Sequence, residues 1–240
     1  MITVERFHKA YDATVAVADL SFEVAAGQVL GLIGPNGAGK TTTLKALCGI
    51  IPPSRGRLSV DGYDLATDPV AVKSRLAYVS DDPQLFADLT VMQHLAFTAS
   101  AYQVADAKEK SRELLEMFAL TDKLDVPARD LSRGMRQKLA LCCGYLHDPV
   151  AILYDEPLTG LDPRGIRVLK DSITKRAQRG AAVIVSSHLL AMVEDICTHI
   201  LVLQSGRKRF FGPKDELKST FAGNDADTTL EEVFFLATEA

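Results

Sequence analysis

The clearest chemistry in this sequence belongs to a glycine-rich segment, residues 34–41, which reads GPNGAGKT. Its pattern is GxxxxGK followed by Ser or Thr, in which glycines let backbone N–H groups converge on phosphate oxygens. A helix beginning there would direct its positive end at the same anions, Lys40 could neutralise β- and γ-phosphate charge, and the Thr41 hydroxyl could ligate Mg²⁺. The alternative is a glycine-rich turn with an incidental lysine. The predicted phosphate-binding residues are Gly34, Pro35, Asn36, Gly37, Ala38, Gly39, Lys40, Thr41 and Thr42.

Two adjacent carboxylates form the second candidate site. Asp155 and Glu156 follow the apolar run at residues 151–154, and sites in parallel sheets lie at the carboxyl ends of strands. Asp155 could hold Mg²⁺ opposite Thr41, and Glu156 could orient or deprotonate an attacking water. Many strands end at acidic loops, so this pair carries weight only together with the glycine-rich segment. An adjacent glutamate favours hydrolysis of the triphosphate over its transfer to another acceptor.

Apolar runs predict the elements that position these residues. The run at residues 29–33 indicates a buried strand leading into the glycine-rich segment, and a helix is expected from Thr41 to about Cys48. Further buried strands are predicted at residues 151–154, 181–186 and 200–203, with a helix at about 164–179. This alternation implies a parallel sheet. The first 33 residues indicate short strands with turns, and residues 57–62 indicate a strand at a sheet edge.

Helical periodicity replaces strand patterns between residues 89 and 120. Leu114, Leu115 and Phe118 are predicted to form a buried face, opposite the charged residues at 108–112. A helical subdomain is therefore expected between residues 88 and 147. After Lys218 the chain holds five acidic residues and no Lys or Arg, and an apolar stripe favours a packing or dimer-contact helix over a functional acidic tail. The stripe consists of Leu230, Val233, Phe234 and Ala237.

Composition excludes several classes of function. Hydrophobic residues make up 47% and charged residues 24% of the 240-residue chain, which is typical of globular proteins. A formal net charge of −4 argues against a nucleic-acid partner. Four cysteines without CxxC spacing indicate buried, reduced thiols. The longest run free of Asp, Glu, Lys and Arg, residues 89–105, contains too many polar residues for a membrane span, and the charged N-terminus is unlike a signal peptide.

Three further motifs occur in a characteristic order. LSRGM at residues 131–135 begins 24 residues before Asp155, PLTGLD follows the carboxylate pair at 157–162, and SSH ends the next apolar run at 186–188. Together with the glycine-rich segment they resemble the nucleotide-binding subunits of ABC transporters, over nearly the whole chain. The resemblance implies an α/β fold, in which a P-loop NTPase parallel-sheet core carries an N-terminal antiparallel β subdomain and an inserted helical subdomain. One ABC ATPase domain would span residues 1–240.

The resemblance also divides that domain. It implies a nucleotide-binding core with the β subdomain at residues 1–87 and 148–219, a helical signature subdomain at 88–147, and a tail helix at 220–240. ATP and Mg²⁺ are the implied cofactors. The implied metal ligands are Thr41, Asp155 and Asp81, and the implied catalytic residues are Glu156, His188 and Lys40.

Other roles are carried over position by position. Tyr11, 29 residues before Lys40, matches the aromatic that stacks on adenine, with core packing as the alternative. Ser132 and Gly134 match residues that contact, in trans, the γ-phosphate held by the opposite subunit, with a plain helix N-cap as the alternative. His188 matches the histidine that bridges the γ-phosphate, water and the neighbouring subunit. Asp162 matches an aspartate of the subunit contact, although Asp-Pro also starts helices.

The implied assembly is a head-to-tail pair with two ATP molecules between subunits, the second subunit being the same chain or a paralogue. An integral membrane permease would be the further partner, docking the helical subdomain and residues 78–88. The chain would then be cytoplasmic and peripheral on the inner face of the cell membrane. The segment at 78–95 resembles the exporter branch most closely.

Three positions depart from the family pattern. Asp81 stands where most members have a glutamine that relays nucleotide state to the membrane partner, while Arg133 and Met135 replace a glycine and a glutamine of the signature. Two other functions are compatible with the same motifs. A soluble ABC ATPase of translation or DNA maintenance is disfavoured, because Leu131 lies only 90 positions after Thr41 and the residues between them lack sustained heptads. A catalytically weak regulatory module that binds ATP and dimerises is kept open by Asp81 and Met135.

Overall fold

A computed structural model describes residues 1–188, 190–221 and 229–239. In these ranges the strands are β1 (Ile2–Tyr11), β2 (Thr14–Val24), β3 (Val29–Ile33), β4 (Arg55–Val60), β5 (Tyr63–Asp64), β6 (Leu76–Val79), β7 (Ala151–Asp155), β8 (Ala182–Ser186), β9 (His199–Gln204) and β10 (Arg207–Pro213). The helices are α1 (Lys40–Leu47), α2 (Pro69–Arg75), α3 (Val91–Ala101), α4 (Ala107–Met117), α5 (Arg133–Tyr145), α6 (Pro163–Gln178), α7 (Leu190–Ile196), α8 (Lys214–Phe221) and α9 (Leu230–Glu239).

The central sheet has six strands in the order β10-β9-β3-β8-β7-β6. The pairs among β9, β3, β8, β7 and β6 are parallel, and β10 adds antiparallel to β9 at one edge. All five residues of β3, of β7 and of β8 are buried, as their continuous apolar runs predict. Sites at the carboxyl ends of β3, β7 and β8 are thereby brought to one edge of the sheet.

The N-terminal sheet has four antiparallel strands in the order β2-β1-β4-β5. The expectation of short strands in the first 33 residues is wrong here, because β1 and β2 are 10 and 11 residues long. The predicted edge position of β4 is also wrong, since β4 lies between β1 and the two-residue strand β5. Alternating polarity reports which face is buried and carries no information on how many strands pair alongside. The α/β fold with this antiparallel sheet is confirmed.

Helices α3, α4 and α5 form the helical region between the strands. A capping box starts α3, in which the Thr90 hydroxyl accepts from the Gln93 backbone and the Gln93 side chain accepts from the Thr90 backbone. Leu114, Leu115 and Phe118 are buried in the core shared with the central sheet, whereas residues 108, 109 and 112 are exposed. The amphipathic prediction for this region is confirmed.

The C-terminal helices pack on the described core. Val233 of α9 is fully buried and Phe234 packs partly against the same core, which supports the predicted packing role of this helix. The acidic residues Asp225 and Asp227 lie outside the described residues. All four cysteines are unpaired, and burial raises the pKa of the Cys142, Cys143 and Cys197 thiols. Within the described ranges the structure has no helix with the length and apolar character required to span a bilayer.

Candidate nucleotide-binding and hydrolysis site

The glycine-rich segment forms an open backbone loop between β3 and α1. Gly37 has φ +79°, and the position of a β-carbon there faces open space, so the backbone N–H groups stay accessible. Gly39 caps α1 with φ +102°, and a β-carbon would collide with the Ala16 carbonyl and the Val17 side chain. The chain therefore needs glycine at both positions, and the N-terminus of α1 opens onto the loop. This cradle fits the phosphates of a nucleotide.

Lys40 lies within this loop rather than in solvent. Its Nζ donates to the Gly34 carbonyl at 2.6 Å and to the Pro35 carbonyl at 3.2 Å. Burial lowers the Lys40 pKa, while Glu156 and then Asp155 act to raise it. The ammonium is thus held at the loop by neutral carbonyls, from which an incoming phosphate could draw it.

Asp155 ends β7 and is held by the strands on both sides. The Ser186 hydroxyl donates to Asp155 Oδ1 at 2.6 Å, and the Tyr78 hydroxyl donates to Oδ2 at 3.3 Å. Ser186 ends β8 and Tyr78 lies in β6, so the parallel register delivers both groups. Neither contact was anticipated from the sequence; the signal that could have found Ser186 is its place at the end of the next apolar strand.

Glu156 follows with a left-handed backbone, φ +49°. Its backbone N–H lies 3.1 Å from the Ser186 carbonyl and 3.2 Å from the Ser186 hydroxyl. Its Oε2 accepts from the His188 backbone N–H at 3.3 Å and lies 2.8 Å from His188 Nδ1. The structure therefore brings together Glu156 and His188, two residues predicted to be catalytic from motifs 32 positions apart.

Tyr11 lies at the end of β1 with 46% of its surface exposed, so the core-packing alternative is wrong. The ammonium of Lys9 lies 4.9 Å from the centre of its ring, a cation–π contact, and Lys9 Nζ also donates to the Pro52 carbonyl at 2.9 Å. An exposed ring steadied in this way is available to stack on a base. Adenine stacking at Tyr11 stays a prediction.

The signature residues lie at the start of α5. The Ser132 side chain caps the helix by accepting from the Met135 backbone N–H at 3.2 Å, so the N-cap alternative is also realised. Gly134 packs directly on the Gly160 carbonyl, where a β-carbon would not fit. Asp162 caps α6 by accepting from the Gly165 N–H at 2.8 Å, a bond that lowers the Asp162 pKa. These geometries leave the in-trans roles as predictions.

The predicted metal ligands are hydroxyl and carboxylate oxygens, which Mg²⁺ prefers. Thr41 is exposed in the first turn of α1, and Asp81 is exposed two residues beyond β6, the strand paired with β7. The Gln84 side chain, three residues after Asp81, donates from Nε2 to the Asp82 carboxylate at 3.1 Å. Among the described residues, no three or more His, Cys, Asp or Glu side chains form a metal cluster.

A family comparison agrees with this geometry. The sequence model described as "ABC transporter" matches residues 17–159, more than half of the chain. The chain belongs to the ABC transporter family. It is an ATP-binding subunit of that family. The ATP-binding domains of the family are ATPases, and this chain is therefore an ATPase.

Individual relatives agree over most of their length. The chain is 33% identical to the ABC-type transporter ATP-binding protein EcsA of Bacillus subtilis, over 94% of this chain and 92% of that protein. It is 34% identical to the daunorubicin resistance ATP-binding protein DrrA3 of Streptomyces coeruleorubidus, over 96% of this chain and 74% of that protein. A solved ATP-binding subunit of an ABC transporter superposes with a TM-score of 0.94 at 33% identity, covering 99% of both chains.

Proposed function

We propose that this chain hydrolyses ATP in a head-to-tail pair and drives export through a separate membrane subunit. The observation that carries the hydrolytic role is the cluster at the carboxyl end of β7, where Asp155 and Glu156 are held by Ser186 and His188. Burial lowers the Lys40 pKa, while Glu156 and Asp155 act to raise it, so both carboxylates act electrostatically on the lysine of the phosphate loop.

The proposed roles follow from position. The N–H groups of the loop and Lys40 would bind the phosphates, while Thr41, Asp155 and Asp81 would hold Mg²⁺ and Tyr11 would stack on adenine. Mg²⁺ would neutralise charge on the phosphate oxygens. Glu156, the less buried carboxylate of the pair, would orient and deprotonate the attacking water, because its side chain is 21% exposed whereas Asp155 is enclosed by hydroxyl donors. His188 would steady Glu156 from the next strand.

A pair of chains is required because one chain carries a single phosphate loop and a single signature. Ser132 and the N-terminus of α5 form an anion-binding end of a helix, suited to a γ-phosphate on another subunit. A two-fold head-to-tail pair would build two composite sites, with Asp162 at the contact. The partner subunit would be a second copy or a paralogue.

Mixing two inactive variants tests this assembly. Ser132→Arg blocks the signature and Lys40→Ala empties the phosphate loop, and each alone should be nearly inactive. In an equal mixture half of the pairs are mixed, with one intact site each, so about one quarter of wild-type turnover should return. Recovery requires sites shared between chains. A mixture no more active than its components, under conditions where the wild type is active, would contradict the head-to-tail site.

The docking surface for the membrane subunit is proposed on the helical region. Phe86 and Phe97 meet edge to face with ring centres 5.3 Å apart, yet 56% and 54% of their surfaces are exposed. Beside the segment at residues 78–88 lies a cleft of about 380 Å³. The cleft is lined in part by Tyr78, Ser80, Gln84, Thr98, Tyr102 and His147. Exposed aromatic side chains next to a cleft are typical of a protein contact.

The membrane partner places the chain on the cytoplasmic face of the cell membrane as a peripheral subunit. Export is favoured because one relative is named for daunorubicin resistance.

Co-purification with the membrane subunit tests the docking surface. It compares the wild type with the variants Phe86→Ser and Phe97→Ser. Both should weaken co-purification without changing ATP affinity. Val70→Ser, which changes an exposed residue of α2, is the matched control and should leave co-purification unchanged.

A further inference from the structure

Gln137 is a buried amide joined to two loops of the candidate site. It lies in α5 with 1% of its surface exposed. Its Nε2 lies 3.1 Å from the Ser80 carbonyl and 3.5 Å from the Pro157 carbonyl. Ser80 immediately precedes Asp81, and Pro157 immediately follows Glu156. A single side chain therefore links the segment of a proposed metal ligand with the segment of the proposed general base.

The Gln137 amide is energetically unfavourable in this buried position. Its Oε1 is buried without a hydrogen-bond partner among the described residues, although its Nε2 has two carbonyls within reach. Turning the amide over would set its oxygen against those two carbonyl oxygens, so the orientation is fixed by its neighbours. A buried polar atom without a partner destabilises a fold. An apolar side chain of equal size would serve packing better, so packing does not explain the amide.

The same helix contacts the loop after Glu156 at two further points. Gly134 packs on the Gly160 carbonyl, and Lys138 Nζ lies 3.4 Å from Asp162 Oδ1. These contacts join α5 to the loop at residues 157–162, whereas Gln137 also reaches the end of β6. A shift of α5 would thus reach both segments through Gln137.

We propose that Gln137 is a positioning residue that sets the separation between the Asp81 and Glu156 segments. The role rests on the proposed function, in which Asp81 holds Mg²⁺ and Glu156 activates water. Hydrogen bonds from one rigid amide to two loops restrict how far each can drift from the other. Neither Gln137 hydrogen bond involves the phosphate loop. Loss of the amide should therefore slow hydrolysis while leaving ATP binding nearly unchanged.

Gln137→Met tests the role, because it keeps the side-chain volume and removes both hydrogen bonds. The turnover number should fall on the order of 10–100-fold, since small misplacements of reacting groups have effects of this size. The Mg²⁺ concentration for half-maximal rate should rise, and the dissociation constant for ATP should change less than about twofold. In the nucleotide-free chain, amide hydrogen exchange at residues 80–82 and 156–160 should become faster.

Cys142→Ala is the matched control on the same helix. Cys142 is fully buried, and its Sγ lies 3.6 Å from the Leu114 carbonyl, on a contact separate from both loops. It should lower the melting temperature without changing exchange in the two segments. If Gln137→Met lowers only the melting temperature and leaves turnover, Mg²⁺ requirement and exchange unchanged, the positioning role is wrong. If Gln137→Met does not fold, Gln137→Asn decides in the same way, because its shorter amide cannot reach both carbonyls.

Failure of the proposed function gives a different result. In that case the wild type would show no ATP hydrolysis, or Glu156→Gln would hydrolyse at the wild-type rate. The hydrogen-exchange comparison needs no nucleotide, so it still tests whether Gln137 fixes the two segments. If exchange is faster in Gln137→Met but the wild type is inactive, Gln137 does connect the two segments. It then has no role in hydrolysis, and the proposal as stated is wrong.

Discussion

His188 Nδ1 lies 2.8 Å from Glu156 Oε2, and the His188 backbone N–H lies 3.3 Å from the same oxygen. Glu156 has a left-handed backbone at the end of β7, whereas His188 follows β8. The carboxylate is therefore oriented by the neighbouring strand rather than by its own loop alone. Because 65% of the His188 side chain is exposed, the ring has room to move when a ligand enters.

Glu156→Gln should retain ATP binding and slow hydrolysis by about 10²–10⁴-fold, because the amide cannot accept the proton of the attacking water. The variant should also accumulate as a nucleotide-bound pair, measured by light scattering with and without ATP. Glu113→Gln, an exposed change on α4, is the control for loss of a carboxylate. Unchanged turnover in Glu156→Gln would refute the assigned role.

His188→Ala should lower turnover by about tenfold or more, since Glu156 loses the group that orients it. ATP affinity should stay near the wild-type value, because the phosphate loop is intact. Steady-state kinetics with an independent binding titration separates the two effects. His8→Ala, in β1, serves as control. A loss confined to ATP binding would show that His188 acts on the nucleotide and not through Glu156.

Lys40→Met should abolish measurable ATP binding at concentrations that saturate the wild type, because the buried ammonium is the cation held within the phosphate loop. Lys45→Met, on the exposed side of the same helix, should bind normally. Both are measured by isothermal titration. Normal binding by Lys40→Met would place the phosphates elsewhere.

Asp81→Gln should raise the Mg²⁺ concentration needed for half-maximal hydrolysis, since a neutral amide oxygen attracts the cation more weakly than the carboxylate proposed to hold it. Its larger effect is expected on stimulation by the membrane subunit, measured as the ratio of turnover with and without that partner. Asp82→Asn, next in the chain, controls for charge. If the ratio does not change, Asp81 does not transmit nucleotide state.

His147→Phe should make stability less sensitive to acid. The His147 ring stacks on Tyr102 with centres 3.9 Å apart. Burial lowers the His147 pKa; the Leu76 backbone and Asp148 oppose this shift, and Arg176 and Lys110 add to it. The unfolded chain therefore takes up the proton more readily, and wild-type stability is lost as the pH falls through about 6.5.

Urea unfolding between pH 7.5 and 5 measures that prediction. The free energy of unfolding of His147→Phe should fall less over this range than that of the wild type. Tyr102→Phe keeps the stacked rings and the titrating group, so its pH dependence should match the wild type. Equal slopes for His147→Phe and wild type would show that another group titrates.

Local sequence pattern was enough to predict those features that depend on residues adjacent in sequence. The glycine loop, the buried strands and the carboxylate pair were predicted because phosphate binding and strand burial depend on residues adjacent in sequence. The strand β6 was not predicted, and β4 was misplaced at an edge, because pairing partners are chosen by distant segments. Tyr78 and Ser186 reach Asp155 only through the register of β6 and β8 with β7.

The sequence by itself determined a phosphate loop, two acidic residues at a strand end and the family to which they point, because their spacing encodes the chemistry directly. Only the tertiary structure decided that His188 meets Glu156, that Lys9 covers one side of Tyr11, and that Gln137 joins the loops at Ser80 and Pro157. Such contacts arise from strand order and helix packing, which place residues far apart in sequence within hydrogen-bond distance.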